Sequence, residues 1–599
     1  LLIKGNMKPY IKIGGIIMPG CRKTVFALSL LVLASCDDFL TRVPKDELTP
    51  EKYFTTETEC RLYTNEFYTI LPEGSAIYTE DADYIIPLGL SNEVIGNRTV
   101  PATSSAWNWD KLRDINFFIE HSGQCRDVNV RNRYVGVARF FRAFFYFEKV
   151  RRFGDVPWVD VPLDADDKAL YKGRDDRMDV MRNILADIDF AIDNLPASKD
   201  VYSVTKWTAL ALKSRIFLFE GTFRKYHGLD GWEECLIEAV SASETFIKTS
   251  GYGLYSEGSM PYRDLFAMLN SDRTEIILSR AYASALGLVH DSNGRYTSLS
   301  MGRPGMAKDV VNMYLMKDGT RFTDKPGYEK MNFAEETADR DPRLAQTIRT
   351  PGYKRIGTSL ALAPDMAATM TGYQIIKYVG ESKYDSYKSS ENDLPIFRTA
   401  EVMLNLAEAK AELGTLSQGD LDATVNMLRR RAGMTGMLSM AAANASPDGY
   451  LSDPVTGYSG VSGPNAGVIL EIRRERTVEL FAEGFRYWDI MRWKAGKRFE
   501  RPFYGMYFPG PGQYDLDGNG TIDYVIYEGA KPAEQQGVVY VSLAEANLSF
   551  HGYITCHGDI ARKFDESKDY LYPIPTKDIV LTQGAIKQNP NWEDGLSCE

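Results

Sequence analysis

The chain has 599 residues, 44% hydrophobic and 25% charged, an ordinary globular composition with ample length to bury a core. Its formal charge of −11 argues against a general nucleic-acid binder. Tyr (35), Phe (28) and Trp (8) are plentiful while His (5) is scarce, a balance that favours ring-stacking recognition over His-based metal or acid–base chemistry.

The chain opens on Leu, and the translation start is expected at Met7 or Met18. From Met18, Arg22 and Lys23 form a positive n-region, and Thr24 to Ala34 forms an apolar h-region of 11 residues. That is too short for a bilayer span, which needs ~20 residues, and reads as an export signal. Leu33-Ala34-Ser35-Cys36 matches a bacterial lipobox. Small residues let a peptidase reach the bond, and the Cys36 thiol takes the diacylglycerol. The alternative is an ordinary secretory signal with an incidental Cys. A lipid at Cys36 anchors a protein to a membrane without spanning it. Residues 1–35 hold five basic residues and no acid, so the chain from Cys36 carries 65 basic and 81 acidic residues, net −16. Cys60, Cys125, Cys235, Cys556 and Cys598 leave room for one or two bridges but not for a disulfide scaffold.

Residues 36–250 are read as an N-terminal helical part. "YVGVARFFRAFFYFEKVRRFG" is apolar nearly all round and predicts a buried helix, ended by Gly154 and Pro157. "RMDVMRNILADIDFAIDNLP", "TKWTALALKSRIFLFEG" and "WEECLIEAVSASETFIKTSG" predict three more helices. Residues 251–395 are rich in Gly, Tyr, Ser and Pro with weak periodicity, and read as irregular loops with short elements. Residues 396–599 return to helices. In "FRTAEVMLNLAEAKAELG", Ala400, Met403, Leu404, Ala407 and Ala411 share a face, with Gly414 as the stop. "DLDATVNMLRRRAG" follows, closed by Gly433, and then a helix is expected over 470–492. Paired helices of this size resemble tetratricopeptide units. The expected fold is mainly α, a single domain of helical pairs carrying a loop-rich, irregular binding face. Trp109, Trp158, Trp207, Trp488 and Trp493 read as core.

Several segments together resemble the SusD/RagB family of surface glycan-binding lipoproteins. "RRERTVELFAEGFRYWDIMRWK" carries Glu475, Arg476, Glu479, Leu480, Glu483, Gly484, Arg486, Asp489, Arg492 and Trp493 in the family's spacing. "RTAEVMLNLAEAKAELG", "VNMLRRRAG", "ARFFRAFFYFEKVRRFGDVPWV" and "YLYPIPTKDIVLTQGAIKQNPNW" match in the right order, and the lipobox is in place. The charges of the first motif sit at i,i+3 and i,i+4 spacing and read as an ion-pair network rather than a catalytic set.

The resemblance implies binding without catalysis. It implies a surface-exposed lipoprotein of the outer membrane that captures an oligosaccharide and passes it to a SusC-like TonB-dependent transporter. RagB-type members handle peptides, so a peptide ligand is the alternative. A glycoside hydrolase and a protein-binding adaptor are the other competing classes; HExxH, GxSxG, Walker A and GxGxxG motifs are all lacking. Two loop regions correspond to the family's sugar site, 76–110 and 280–305. From these, Tyr78, Asn97, Arg98, Trp107, Tyr296 and Arg303 are the candidate ligand contacts.

"DLDGNGTIDY" places Asp515, Asp517, Asn519, the Thr521 carbonyl and Asp523 at calcium-loop positions around Gly520. Position 12 is Ile526, and the flanks read as turn and strand. The 515–523 loop is therefore expected to hold a structural Ca²⁺ or to be a metal-free turn, and no other cofactor is expected.

Overall fold

Helix boundaries follow local chemistry. The 26-residue helix α3 (Val128–Phe153) starts where the Asp127 carboxylate accepts the N–H groups of Asn129 and Val130, and stops at Gly154. Before it come α1 (Glu57–Asn65), opened by a Thr56/Glu59 capping box, and α2 (Asp110–His121). After it come α4 (Arg177–Asn194), α5 (Lys206–His227) and α6 (Trp232–Thr249). The later helices are α7 (Thr399–Leu413), ended by left-handed Gly414, α8 (Val425–Ala432), ended by left-handed Gly433, α9 (Ala466–Glu479) and α10 (Arg486–Arg492).

This computed structural model describes residues 53–164 and 166–595; the export signal and Cys36 lie outside the described residues. The fold is mainly α with few strands, a scaffold of helical pairs. Helix α3 packs along α4, and α5 along α6, while α7 packs on α5, α6 and α9. The expected face of α7 (Ala400, Met403, Leu404, Ala407, Ala411) is buried with Leu421, Val425, Leu428, Val468, Ile469 and Ile472 in one cluster. Small residues on α7 let the neighbouring helices approach closely. Of the five core tryptophans, Trp207 and Trp493 are fully buried; Trp109, Trp158 and Trp488 are half-buried. Among the described residues, no helix is long and apolar enough to cross a membrane.

Between α6 and α7 the chain forms short helices and an antiparallel ribbon. Its strands are β1 (Ile276–Arg280) and β2 (Leu394–Arg398), with Ile276 opposite Arg398 and Arg280 opposite Leu394. The C-terminal part adds β3 (Phe503–Tyr507), β4 (Gly512–Tyr514), β5 (Tyr524–Tyr527), β6 (Val539–Ser542) and β7 (Tyr553–Cys556). Strand β3 pairs with β7, and β4, β5 and β6 form a three-stranded sheet.

The helix expected over 470–492 is two helices, α9 and α10, broken by a turn at 480–485. There Ala482 (φ 59°) and Gly484 (φ 82°) adopt left-handed backbone. The freed backbone groups are met by tertiary partners. Lys377 Nζ donates to Phe481 O at 2.7 Å, the Tyr378 hydroxyl to Ala482 O at 3.0 Å, and Gly484 N–H to the Glu80 carboxylate at 3.0 Å.

The break also redirects the ion pairs, most of which run between elements rather than along one helix. Glu475 meets Arg343 (2.6 Å) and Arg429 (3.0 Å). Glu479 meets Arg343 (2.9 Å), Arg398 (2.8 Å) and Arg431. Glu483 meets Arg398 (2.7 Å) and Lys377 (2.6 Å), and Glu275 meets Arg398 (2.9 Å) and Arg431 (3.0 Å). With Asp341 on Arg343, five cations face five carboxylates, all with side chains at most 3% exposed. Burial alone would raise the Glu479 pKa, yet Arg431, Arg398 and Arg343 hold it well below the carboxylate range.

Removing one member strands the others in a low-dielectric interior. Arg398→Ala is expected to cost about 3–5 kcal/mol of unfolding free energy, read by urea denaturation, because three carboxylates lose a partner. A loss below about 1 kcal/mol would show that water replaces the guanidinium freely.

Candidate functional site

The β1–β2 ribbon has two ends. Glu275 and Arg398 fix one end in the buried charge network. The other end, at Arg280 and Leu394, opens on a cleft of about 620 Å³. Asp393, just before β2, is 4% exposed and organises the cleft wall. Its carboxylate accepts the Tyr202 hydroxyl (2.7 Å), Ser271 N–H (2.8 Å) and Tyr282 N–H (3.2 Å). Desolvation and this carboxylate push the Tyr202 phenol up to about 12, so it remains a donor at neutral pH.

Four tyrosines and one histidine surround the cavity. Tyr68 accepts Val204 N–H at 2.8 Å and sets its ring edge-on to Phe141 at 4.9 Å. Tyr78 ends the short helix Gly74–Tyr78 and accepts Asp291 N–H at 3.1 Å. The Tyr282 ring lies 4.4 Å from His290, which lies 5.7 Å from Tyr78. His290 Nε2 sits 2.8 Å from Asn392 O and Nδ1 accepts Ser292 N–H at 3.3 Å; burial lowers its pKa, which keeps the ring neutral. Glu73, Arg280, Asp291 and Lys388 add charged groups to the lining. Gly74 lets the short helix approach Tyr282 closely: a Cβ there would lie 2.5 Å from Tyr282 Oη. Rings can stack on the CH faces of a ligand while hydroxyl, carboxylate and cationic groups meet its hydroxyls.

The two loop regions expected from sequence both reach this cleft, but most of the chosen residues do not line it. Tyr78 does, with only 5% of its surface exposed. Tyr296 is fully buried beneath it, its hydroxyl donating to Tyr78 O, so no ring face is left for a ligand. Arg98 is occupied elsewhere, paired with Asp569 at 3.2 Å and stacked on Tyr572 (4.6 Å) and Trp592 (5.6 Å). Trp107 is 3% exposed, edge-on to Phe153 at 4.7 Å, and lines a separate apolar pocket with Trp109 and Leu170. Asn97 is exposed just past the helical turn Asn92–Ile95, and Arg303 is half-buried in left-handed backbone (φ 47°); neither lines the cleft. Tyr202 and Tyr282 line the cleft as well, backed by Asp393. Tyr282 stands two residues beyond Arg280 in one of the named loops, a signal that was readable; Tyr202 and Asp393 are brought in only by tertiary contact.

The model of the SusD family matches residues 274–592, more than half of the chain. The chain belongs to the SusD family. It is 25% identical to SusD-like protein P2 of Formosa agariphila over 598 residues, covering 95% of this chain and 99% of that protein. SusD-like protein P38 of the same organism is 24% identical over 525 residues, covering 80% and 92%. A SusD-like protein of Bacteroides fragilis superposes with TM-score 0.67 at 22% identity, over 92% of this chain and 100% of that one. A SusD-like carbohydrate binding protein of the same species gives TM-score 0.64 at 22% identity, over 89% and 99%. These two likenesses concern the fold.

In this SusD-family chain the loop at 515–523 joins β4 to β5. Oxygens of Asp515, Asp517 and Asp523 lie within 4.8 Å of one another. Asp515 accepts the N–H groups of Gly518 (2.7 Å), Asn519 (3.2 Å) and Gly520 (2.7 Å). Asn519 Oδ1 accepts Thr521 N–H at 2.7 Å. Ile526 is buried in β5 and contributes no ligand.

The segment carrying Tyr78 is tied to the 480–485 turn by Glu80. Its carboxylate accepts Gly484 N–H, Arg486 N–H and the Tyr84 hydroxyl. Desolvation outweighs these bonds and raises its pKa to about 7. A carboxyl with a folded-state pKa above its ordinary value binds more protons folded than unfolded. Its stabilisation is therefore full below about pH 4.5 and is lost as pH rises through about 7. Relative to Glu80→Gln, the parent protein is expected to lose about 3 kcal/mol between pH 5 and pH 8, read as the difference of two denaturation series. A flat difference would show Glu80 ionised throughout.

Proposed function

We propose that this SusD-family chain is a cell-surface glycan-binding lipoprotein. It captures an oligosaccharide and delivers it to a partner TonB-dependent outer-membrane transporter, held to the outer membrane by a lipid on Cys36. The observation that carries the glycan reading is the cleft at the ribbon's end. Tyr68, Tyr78, Tyr202 and Tyr282 surround it, and Asp393 orients two of them. The likeness to the SusD-like carbohydrate binding protein of Bacteroides fragilis supports the same reading. The lipobox supports the anchor, and family membership supports the transporter as partner. No acid–base pair is assigned to the cleft, and binding without bond cleavage follows from this reading.

Isothermal titration against a polysaccharide panel tests it. At least one glycan should bind without released product, and Tyr282→Ala or Tyr202→Ala should weaken it roughly tenfold, about 1.4 kcal/mol per lost stacking face. Heat from peptides alone would overturn the glycan reading, and cleaved sugar would overturn the non-catalytic one.

The 515–523 loop is proposed to hold a structural Ca²⁺ through Asp515, Asp517 and Asp523. Burial together with the Asp517 and Asp515 carboxylates raises the Asp523 pKa, a repulsion that a bound cation would relieve. Calcium at about 100 times its Kd should raise Tm by about 2 °C, and chelator should reverse this. Asp517→Asn should abolish the response while leaving the metal-free Tm within about 1 °C. An unchanged Tm at millimolar calcium would leave the loop as a metal-free turn.

A further inference from the structure

The segment after α10 reads "KAGKRFER", four basic residues within eight positions, in a chain whose formal charge is −11. With the loop at 454–460 and part of α9 it encloses a cavity of about 480 Å³, which shares no lining residue with the cleft at the ribbon's end. Most charges on its wall are already answered. Lys497 meets Glu500 at 2.7 Å, Arg498 meets Asp83 at 2.6 Å, and Arg501 meets Asp309. Glu500 also accepts Phe564 N–H at 2.9 Å, and Glu566 accepts the Tyr570 hydroxyl at 2.7 Å. Lys494 is exposed and forms no ion pair among the described residues. Nor is it spent on the carbonyls that end α10. Asp489 O, Met491 O and Ile490 O accept the N–H groups of Trp493 (3.0 Å), Lys494 (3.2 Å) and Ala495 (2.9 Å).

The second unanswered cation is buried. Arg473 on α9 lines the same cavity, is 1% exposed, and its Nε and Nη2 have no hydrogen-bond partner. The Glu412 carboxylate lies 3.6 Å from Nη2, beyond hydrogen-bond distance, and is occupied by the Tyr226 hydroxyl (2.8 Å) and Lys225 Nζ (2.7 Å). Rings flank the guanidinium instead: Trp493 at 4.5 Å, Tyr226 at 4.6 Å and Tyr458 at 5.3 Å. Ring faces attract the charge, but they are not lone-pair acceptors for its N–H groups. Its neighbours on α9 show the contrast. Arg474 reaches Asp448 and Glu471 (3.1 Å), and Arg476 reaches Asp489 (2.8 Å). A buried donor left bare is costly and points to a partner that is not protein.

We propose that this cavity is an oxyanion site that takes a carboxylate or sulfate group, with buried Arg473 as its inner cation and exposed Lys494 as its outer one. An oxyanion supplies the acceptor oxygens that Arg473 lacks, and the parallel N–H groups on one guanidinium edge suit two oxygens at once. Five cations and two carboxylates line the cavity, so an entering anion meets a net positive wall. Tyr458, on that wall, reports the same field. Burial alone would raise its phenol, yet Arg486 and Arg498 hold it below its ordinary value. A free oxyanion and the acidic group of a charged sugar share this chemistry.

Isothermal titration of the full chain with sodium sulfate and, separately, sodium galacturonate tests the site, at an ionic strength held constant with sodium chloride. At least one should give a saturable isotherm, and neutral galactose should leave its affinity unchanged. Lys494→Ala should weaken the binding roughly threefold, as loss of a partly screened charge does. Arg473→Lys should weaken it roughly tenfold, because lysine keeps the charge but not the fork. Lys383→Ala, at an exposed lysine that lines neither cavity, should bind as the parent does. If Arg473→Lys fails to fold, read by circular dichroism, Lys494→Ala decides alone. Galacturonate binding without sulfate assigns the acidic group of a sugar, sulfate binding assigns a free oxyanion, and either upholds the site. Non-saturating heats with both anions, an affinity unchanged in a folded site variant, or an equal loss in Lys383→Ala would overturn the proposal.

Discussion

The interaction on which the rest depends is the buried lattice of guanidinium and carboxylate groups around Glu479. Isolated buried charges are expensive, so the network is stable only when each ion meets several partners. Arg398 does so by reaching Glu275, Glu479 and Glu483 at once. Because Glu275 immediately precedes β1 and Arg398 ends β2, the same contacts fix one end of the ribbon against α9 and the 480–485 turn. The other end then presents Arg280 and Tyr282 to the cleft, with Asp393 buried behind them. A cleft wall made of loops thus inherits its position from a rigid interior, as loop-built sites on stable scaffolds generally do.

Polar groups also carry the fixation outward from this core. Glu80 receives two backbone N–H groups from the turn and holds the segment whose Tyr78 forms part of the cleft. Asp393 gathers a tyrosine hydroxyl and two N–H groups from three separate stretches of chain. Tyr296, directly beneath Tyr78, supports it rather than meeting a ligand. Tyr68 and Tyr78 each accept a backbone N–H at the hydroxyl, and Tyr202 donates its own to Asp393.

Much of the scaffold was legible in the sequence, because the signals are local. Asp127 and Gly154 bound α3, Gly414 ends α7, and the apolar face of α7 runs at helical spacing. The 470–492 stretch misled for the opposite reason. Its composition is helical throughout, and its break rests on Tyr84, Glu80, Lys377 and Tyr378, all remote in sequence. Most of the expected site residues lie away from the cleft for the same kind of reason. Arg98 is enclosed by Asp569, Tyr572 and Trp592, and Tyr202 reaches the cleft through its hydroxyl bond to Asp393, all remote in sequence.

The sequence by itself determined the helical scaffold, the order of the motifs, the loops that would meet at the site and the spacing of three carboxylates in one turn. These depend on neighbours within a few residues, or on motif order along the chain. Tertiary structure alone decided which aromatic rings face the cleft, which charges pair and where a helix of uniform composition breaks. Those outcomes depend on desolvation and on partners tens to hundreds of residues away, and neither is encoded in local spacing.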